Sequence, residues 1–335
     1  MAASPAESRP RRRPPGFFGG EARSDSSETR TSLLSFLAPR YARSWLLIGW
    51  LRLAALLPWR WSIALHTRLG RALGRLSPKS ARIVAENLER CFPEATGPER
   101  AGLTADYFGN MGAIVAELAL AWFRRPERVR RIIEAEGVEH LERALAGGRG
   151  VILFLGHFTT IEMCGVGVGG CAPHFVITHN PRRSRLLSEF QRRSRERLGD
   201  EVLSKHKGRA LIRSLRKNAV VWFAGDEAHT GKSSAMIPFF GHPAPTNTSL
   251  SRLARISGAA VVPLFYRRKA DHSGYLLRFG PALENFPSDD AIADTRRMVA
   301  ILEAQIRECP AQYFWKQKRF RQTGRKNSRT GPAAR

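Results

Sequence analysis

Five consecutive apolar residues, Val151-Ile152-Leu153-Phe154-Leu155, are followed at once by Gly156 and His157. A short uncharged run of this kind reads as a strand buried on both faces, which places the chain in the α/β class. Gly156 permits a sharp exit from the strand. His157 is the first polar group beyond it, and Glu162 follows five positions on. On a single helix the two would lie about 140° apart at ~100° per residue, so they meet only if His157 sits in the turn and Glu162 on the first helical turn. A carboxylate on one ring nitrogen would then fix the tautomer and leave the other nitrogen as a base. The pair alone is equally compatible with a turn histidine and a helix acid that complements the dipole.

Further along, Ala219 to Ala224 is a second buried strand followed by Gly225-Asp226, and Ala259 to Phe265 is a third. An acid just past a buried strand belongs to the same rim of an open sheet as His157. Phe175 to Thr178 and Tyr275 to Phe279 read as further strands, and Ala105 to Phe123 and Ile292 to Cys309 as helices. The series Gly165-Val166-Gly167-Val168-Gly169-Gly170 formally contains G-x-G-x-x-G. A dinucleotide site needs those glycines at the strand-to-helix turn, which here is taken by Gly156-His157. These small residues point instead to close packing or to room left beside the helix. The four cysteines, Cys91, Cys164, Cys171 and Cys309, form no C-x-x-C pair and no metal-ligand spacing. Cys164 lies near His157, but its apolar surroundings predict an inert thiol rather than a nucleophile.

With 335 residues and 43% hydrophobic content, the chain holds one sizeable catalytic domain and an accessory segment. The 55 Lys and Arg against 29 Asp and Glu give a net charge of +26, which suits anionic partners. Aromatic stacking motifs of the RNA-binding type are missing, so no nucleic acid partner is expected. Residues 1–40 are Pro-, Gly-, Ser- and Arg-rich and read as a disordered basic tail without a secretory signal. Residues 41–75 form a membrane-associated segment with Trp45, Trp50, Trp59 and Trp61. Arg52, Pro58 and Arg60 interrupt its apolar run, so a tilted transmembrane helix and an interfacial helix both fit. Residues 76–145 read as a helical lead-in, 146–320 as the α/β core, and 321–335 as a second basic tail. Two hydroxyls, Thr246 and Thr248, are candidates for helix N-caps first and substrate contacts second.

Several motifs in order resemble the late acyltransferases of lipid A synthesis, the lauroyl and myristoyl transferases of the lysophospholipid acyltransferase superfamily. They are Arg82, Asn87-Leu88 and Phe92-Pro93; Gly137 to Leu141; His157-Phe158 with Glu162; Val221-Trp222-Phe223-Ala224 with Asp226; Pro238-Phe239-Phe240-Gly241; and Gln312-Tyr313-Phe314-Trp315 with Arg319-Phe320. Glu227 departs from the amide or histidine often found next to the aspartate. The resemblance implies a mixed central sheet flanked by helices. It also implies an O-acyltransferase in which His157 acts as general base with Glu162 as its partner. Arg195, with Arg197 second, would bind an anionic headgroup or phosphate as a fork, and Asp226 would contact substrate. The implied donor is acyl-acyl carrier protein, and the acceptor is an anionic glycolipid, a Kdo-bearing lipid A precursor. No metal or cofactor is required, because the thioester is already activated. The location implied is the bacterial inner membrane, among membrane lipids, with the catalytic domain on the cytoplasmic face. A related enzyme acting on another glycolipid or a lysophospholipid, with acyl-CoA as donor, would keep the same pair.

Overall fold

The computed structural model describes residues 31–179, 184–204, 207–228, 231 and 233–320. Residues 1–30 and 321–335, most of the first expected tail and all of the second, lie outside the described residues. The described residues begin before the expected boundary at 40. Leu33–Phe36 and Pro39–Tyr41 are 3₁₀ turns, and Phe36 is buried with Ile48 and Leu186.

The helical lead-in consists of α1 (Ala42–Ala54), α2 (Trp59–Arg75), α3 (Pro78–Cys91), α4 (Gly97–Phe123) and α5 (Pro126–Arg130). Pro58 is the N-cap of α2 and separates it from α1, so the apolar segment is two short helices rather than one long one. Among the described residues no helix is long and apolar enough to cross a membrane, which corrects the transmembrane alternative. The start of α4 is fixed by a capping box: Glu99 N–H donates to Thr96 Oγ1, and the Glu99 carboxylate accepts from the Thr96 backbone. α2 and α4 approach at backbone distance. A Cβ on Gly112 would lie 2.1 Å from the His66 carbonyl oxygen, and one on Gly70 2.3 Å from that of Phe108, so only glycine fits there.

The lead-in then yields a strand that its sequence conceals, β1 (Ile133–Glu136), followed by α6 (Val138–Leu145). The remaining elements are β2 (Val151–Leu155), α7 (Ile161–Cys171), β3 (Phe175–His179), α8 (Arg185–Arg195), β4 (Glu201–Ser204), α9 (Gly208–Arg216) and β5 (Val220–Ala224). After them come β6 (Ser234–Phe239), β7 (His242–Asn247), α10 (Ser249–Ser257), β8 (Ala260–Arg268), β9 (Tyr275–Phe279) and α11 (Ala291–Glu308).

Seven strands form one sheet in the order β1-β9-β8-β2-β5-β3-β4, and β6 and β7 pair as a separate hairpin. β8, β2, β5, β3 and β4 are mutually parallel; β9 runs antiparallel to β8, and β1 parallel to β9. This is the expected mixed sheet, mostly parallel and flanked by helices. The crossover β2-α7-β3 runs outward and β4-α9-β5 runs back inward, so right-handed connections put α7 and α9 on opposite faces. With both faces covered, β2 is apolar and buried throughout, as parallel central strands are. α7 and α8 pack against α4, and α7 also against α5; the glycines of α7 meet the sheet closely, since a Cβ on Gly167 would fall 2.5 Å from Leu277. Close packing is therefore the use made of that glycine series.

Candidate active site

β2 and β5 are hydrogen-bonded neighbours in parallel register, with Leu155 opposite Ala224. Residues two positions beyond those ends leave the sheet side by side, and they are His157 and Asp226. The imidazole Nδ1 lies 2.5 Å from Asp226 Oδ1, and the His157 backbone N–H donates to Oδ2 at 2.8 Å. Asp226 is fully buried, whereas the imidazole is part-exposed, at 29%. Burial acts to raise the Asp226 pKa. The positive charge of a protonated His157, its side-chain and backbone hydrogen bonds, and Arg319 outweigh burial, so the carboxyl is held below the ordinary aspartate range. The other ring nitrogen, Nε2, faces Glu227 Oε1 at 3.8 Å. A carboxylate on Nδ1 selects the tautomer in which Nε2 carries the lone pair, the arrangement of a general base.

The expected partner on the ring was Glu162, and the structure gives Nδ1 to Asp226 instead. Sequence proximity is outweighed by strand adjacency. Glu162, on the first turn of α7, is buried and bound to α8: Arg195 Nη2 lies 2.7 Å from its Oε1, and Gln191 Nε2 donates to the same oxygen at 3.1 Å. Gln191 and Arg195 are spaced i,i+4, so one face of α8 delivers both.

Asp226 itself holds the imidazole rather than waiting for substrate as expected. The two arginines expected to bind an anion are likewise spent on protein groups. Arg195 is 6% exposed, donates to Thr178 O at 3.1 Å and stacks over Trp222 at 5.1 Å. Arg197 donates to the carbonyls of Trp122 and Arg124 at the end of α4. The Arg195 fork closes on the interior because α8 abuts α4 and β3, and a charged donor buried there must satisfy itself locally; Arg197, just past the end of α8, is exposed and spends its fork on the end of α4.

The loop carrying His157 is clasped from two sides. Tyr266, in β8, donates its hydroxyl to Gly156 O at 2.7 Å and accepts from Phe158 N–H at 3.2 Å, so it brackets the histidine. From the C-terminal segment, Phe314 N–H donates to His157 O at 2.9 Å, and Thr159 N–H donates to Gln312 O at 2.8 Å. The side chain of Gln312 pairs with the backbone of Arg268 in both directions, at 2.8 and 2.9 Å. Tyr313 is buried beside Asp226; burial first, and then that charge, push its pKa well up. The segment is anchored in turn by Asn87 Nδ2, which donates to Trp315 O and Gln317 O at 2.7 and 2.8 Å, and by Arg319, which donates to Pro245 O and Thr246 Oγ1. Motifs scattered from Asn87 to Arg319 thus converge on one loop.

Thr246 accepts from Arg319 and donates to Ala244 O, and Thr248, at the N-cap of α10, makes no side-chain cap. The cap is Asn247 Oδ1, which accepts from Ser249 N–H at 2.9 Å. Cys164 is fully buried and its thiol is pushed well above the ordinary range, first by burial and then by Glu162, so it is not a nucleophile. Tyr266 and Gln191 escaped the sequence reading. Their signal was positional: a polar group inside an otherwise apolar strand, and an amide one helical turn before a buried arginine.

A sequence-family model described as "Bacterial lipid A biosynthesis acyltransferase" matches residues 31–322. The chain is 35% identical over 288 residues to the lipid A biosynthesis palmitoleoyltransferase of Escherichia coli K12, covering 85% of this chain and 93% of that protein. It is also 35% identical over 288 residues to the lauroyltransferase of the same organism, covering 86% and 94%. With the E. coli myristoyltransferase the identity is 25% over 282 residues, covering 84% and 87%. A match over this share of the chain, on a mostly parallel sheet with His157 and Asp226 joined at its rim, makes the chain a member of the bacterial lipid A biosynthesis acyltransferase family.

Proposed function

We propose that the protein transfers a fatty acyl chain from acyl-acyl carrier protein to a hydroxyl of a Kdo-bearing lipid A precursor, at the cytoplasmic face of the bacterial inner membrane, with His157 as general base. The observation that carries this reading is the contact between His157 Nδ1 and the buried, ionised Asp226. The acceptor hydroxyl gives its proton to Nε2 as its oxygen attacks the thioester carbonyl. The tetrahedral adduct collapses with loss of the carrier thiolate, which takes the proton back from the imidazolium. Asp226 stabilises the positive ring during the interval and keeps Nε2 facing the reacting oxygen. Glu162 supports the site at one remove, by fixing the start of α7 against α8 through Arg195 and Gln191. No step requires a covalent enzyme intermediate.

The test is a comparison of donors and acceptors on detergent-solubilised full-length protein. Labelled acyl-acyl carrier protein and acyl-CoA are each offered with a Kdo-bearing lipid A precursor, a mannosylated phosphoinositide and a lysophospholipid. Transfer to the Kdo-bearing acceptor from the carrier protein is expected to be fastest by at least about tenfold, equivalent to ~1.4 kcal/mol of transition-state discrimination. Faster transfer to either of the other lipids would replace this acceptor, and preference for acyl-CoA would replace this donor.

A further inference from the structure

The imidazole of His157 lies between two carboxylates in opposite environments. Asp226 covers Nδ1 and is wholly buried, whereas Glu227 stands on the other side, its Oε1 3.8 Å from Nε2 and its side chain 60% exposed. The two acids are consecutive, so one loop beyond β5 delivers both. The backbone on either side of Glu227 is pinned. Asp226 accepts from the His157 backbone N–H at 2.8 Å, and Ala228 bridges Thr246, which Arg319 holds. The Glu227 side chain carries no such restraint, since among the described residues the ring is its one ion-pair or hydrogen-bond partner. An exposed pair of this kind adds little to stability, so its effect falls on the chemistry of the ring.

At 3.8 Å the carboxylate and Nε2 are too far apart for a hydrogen bond. A hydroxyl that gives its proton to Nε2 must come within about 2.6–3.2 Å of it, and on the exposed edge of the ring that position lies next to Glu227. Such a hydroxyl has a single proton and spends it on the nitrogen. The carboxylate must then take its hydrogen bond from a second donor on the acceptor, a neighbouring hydroxyl or N–H. A phosphate or carboxylate in that place would meet like charge.

The same charge acts on the ring itself, because a carboxylate this near favours the imidazolium. The other titratable or charged groups packed around the ring and its aspartate, among the described residues, are Tyr266, Tyr313, Arg319 and the Glu162–Arg195 pair. Burial keeps both tyrosines neutral, and Arg319, Glu162 and Arg195 are buried. Glu227 is therefore the group whose charge can be changed from the solvent side without opening the interior.

We propose that Glu227 is a catalytic residue on the acceptor side of the site, placed to accept a hydrogen bond from a second donor beside the hydroxyl that Nε2 deprotonates, and to hold the imidazolium across the ring from Asp226. This rests on His157 as the base, and it goes beyond that reading by assigning the acceptor a hydroxyl flanked by an uncharged donor rather than by an anion. The proton still passes from the hydroxyl to Nε2 and on to the leaving thiolate, and Glu227 keeps its own charge throughout.

The test compares wild type with Glu227→Gln, Glu227→Lys and Glu227→Leu, as detergent-solubilised full-length protein with acyl-acyl carrier protein and the Kdo-bearing precursor. Removing the negative charge lets the neutral ring persist to lower pH. On the acidic limb, kcat/KM relative to each enzyme's own plateau is expected to rise about threefold in the glutamine variant, and further in the lysine variant. Glu227→Leu loses the acceptor oxygen as well as the charge, so its KM for the lipid acceptor is expected to rise about tenfold, while Glu227→Gln stays within about threefold of wild type. The position is exposed, and all the variants are expected to melt with the wild type. NMR titration of the His157 ring in substrate-free protein, assigned against His157→Ala, reads the same displacement to lower pH without acyl transfer, so the two proposals can fail separately. A ring titration unmoved in the glutamine and lysine variants, or an acceptor KM unchanged in the leucine variant, would overturn the role of Glu227.

Discussion

Replacing His157 by alanine is expected to lower the rate of acyl transfer by about 10²- to 10⁴-fold, the usual worth of a positioned general base, while the chain stays folded. The side chain is part-exposed and belongs to no core cluster. The backbone bonds that shape its loop, from His157 N–H to Asp226 and from Phe314 N–H to His157 O, do not involve the imidazole. Asp226 loses one partner but keeps that backbone donor and the field of Arg319. Any loss of stability should stay within the ~1–3 kcal/mol of one buried group left short of a hydrogen bond. Initial rates at saturating substrate, with circular dichroism and a thermal melt on the same preparation, check both halves. Full activity in the alanine variant would remove His157 from the chemistry.

Arg195→Ala is expected to produce the largest loss of stability in the site. The Arg195–Glu162 pair is buried on both sides, at 8% and 6% side-chain exposure. Removing the guanidinium leaves Glu162 in the interior with only Gln191 among the hydrogen bonds described above, and it frees Thr178 O and the face of Trp222. Breaking a buried pair from one side costs about 3–5 kcal/mol, which for a domain of this size lowers Tm by roughly 10 °C. Arg195→Lys should recover only part of this, because an ammonium cannot span the carboxylate and the carbonyl together as the fork does. A fork that binds substrate would give the opposite signature, a raised KM with Tm unchanged, and thermal melts beside KM values decide between the two.

The strands that could be read from the sequence are those whose environment is uniform. β2 and β5 are apolar without interruption, β8 is apolar from Ala260 to Phe265, and β9 is broken only by Arg278, in keeping with strands that are mostly buried. β1 was hidden because Ile133-Glu134-Ala135-Glu136 lies at the sheet edge, largely exposed, and takes its strand character from pairing with β9. β7 was hidden for another reason. His242-Pro243-Ala244-Pro245-Thr246-Asn247 carries two prolines, which a two-stranded hairpin tolerates where a central strand would not.

The site shows the same division. His157 and Asp226 each stood out as the first polar group past a buried strand, but choosing Glu162 as the ring's partner weighted distance along the chain over equal offset on neighbouring strands. The strand order that makes β2 and β5 neighbours depends on two crossovers, β2-α7-β3 and β4-α9-β5, and no local pattern encodes it. The roles of Asn87, Gln312 and Arg319 were out of reach for the same reason, since each acts on a segment more than 40 residues away.

The measurement that bears most directly on this account is the single-turnover rate of acyl transfer in Asp226→Asn, taken beside Glu162→Gln and the wild type. If Asp226 orients the imidazole and steadies its charge, the asparagine variant loses about 10²- to 10⁴-fold in rate, through the wrong tautomer and an unsupported imidazolium. Glu162→Gln, which leaves Arg195 without a counter-charge, should reveal itself first as a lowered Tm. An Asp226→Asn enzyme that transfers acyl chains within a few-fold of the wild-type rate would contradict the His157–Asp226 pair as the centre of the reaction.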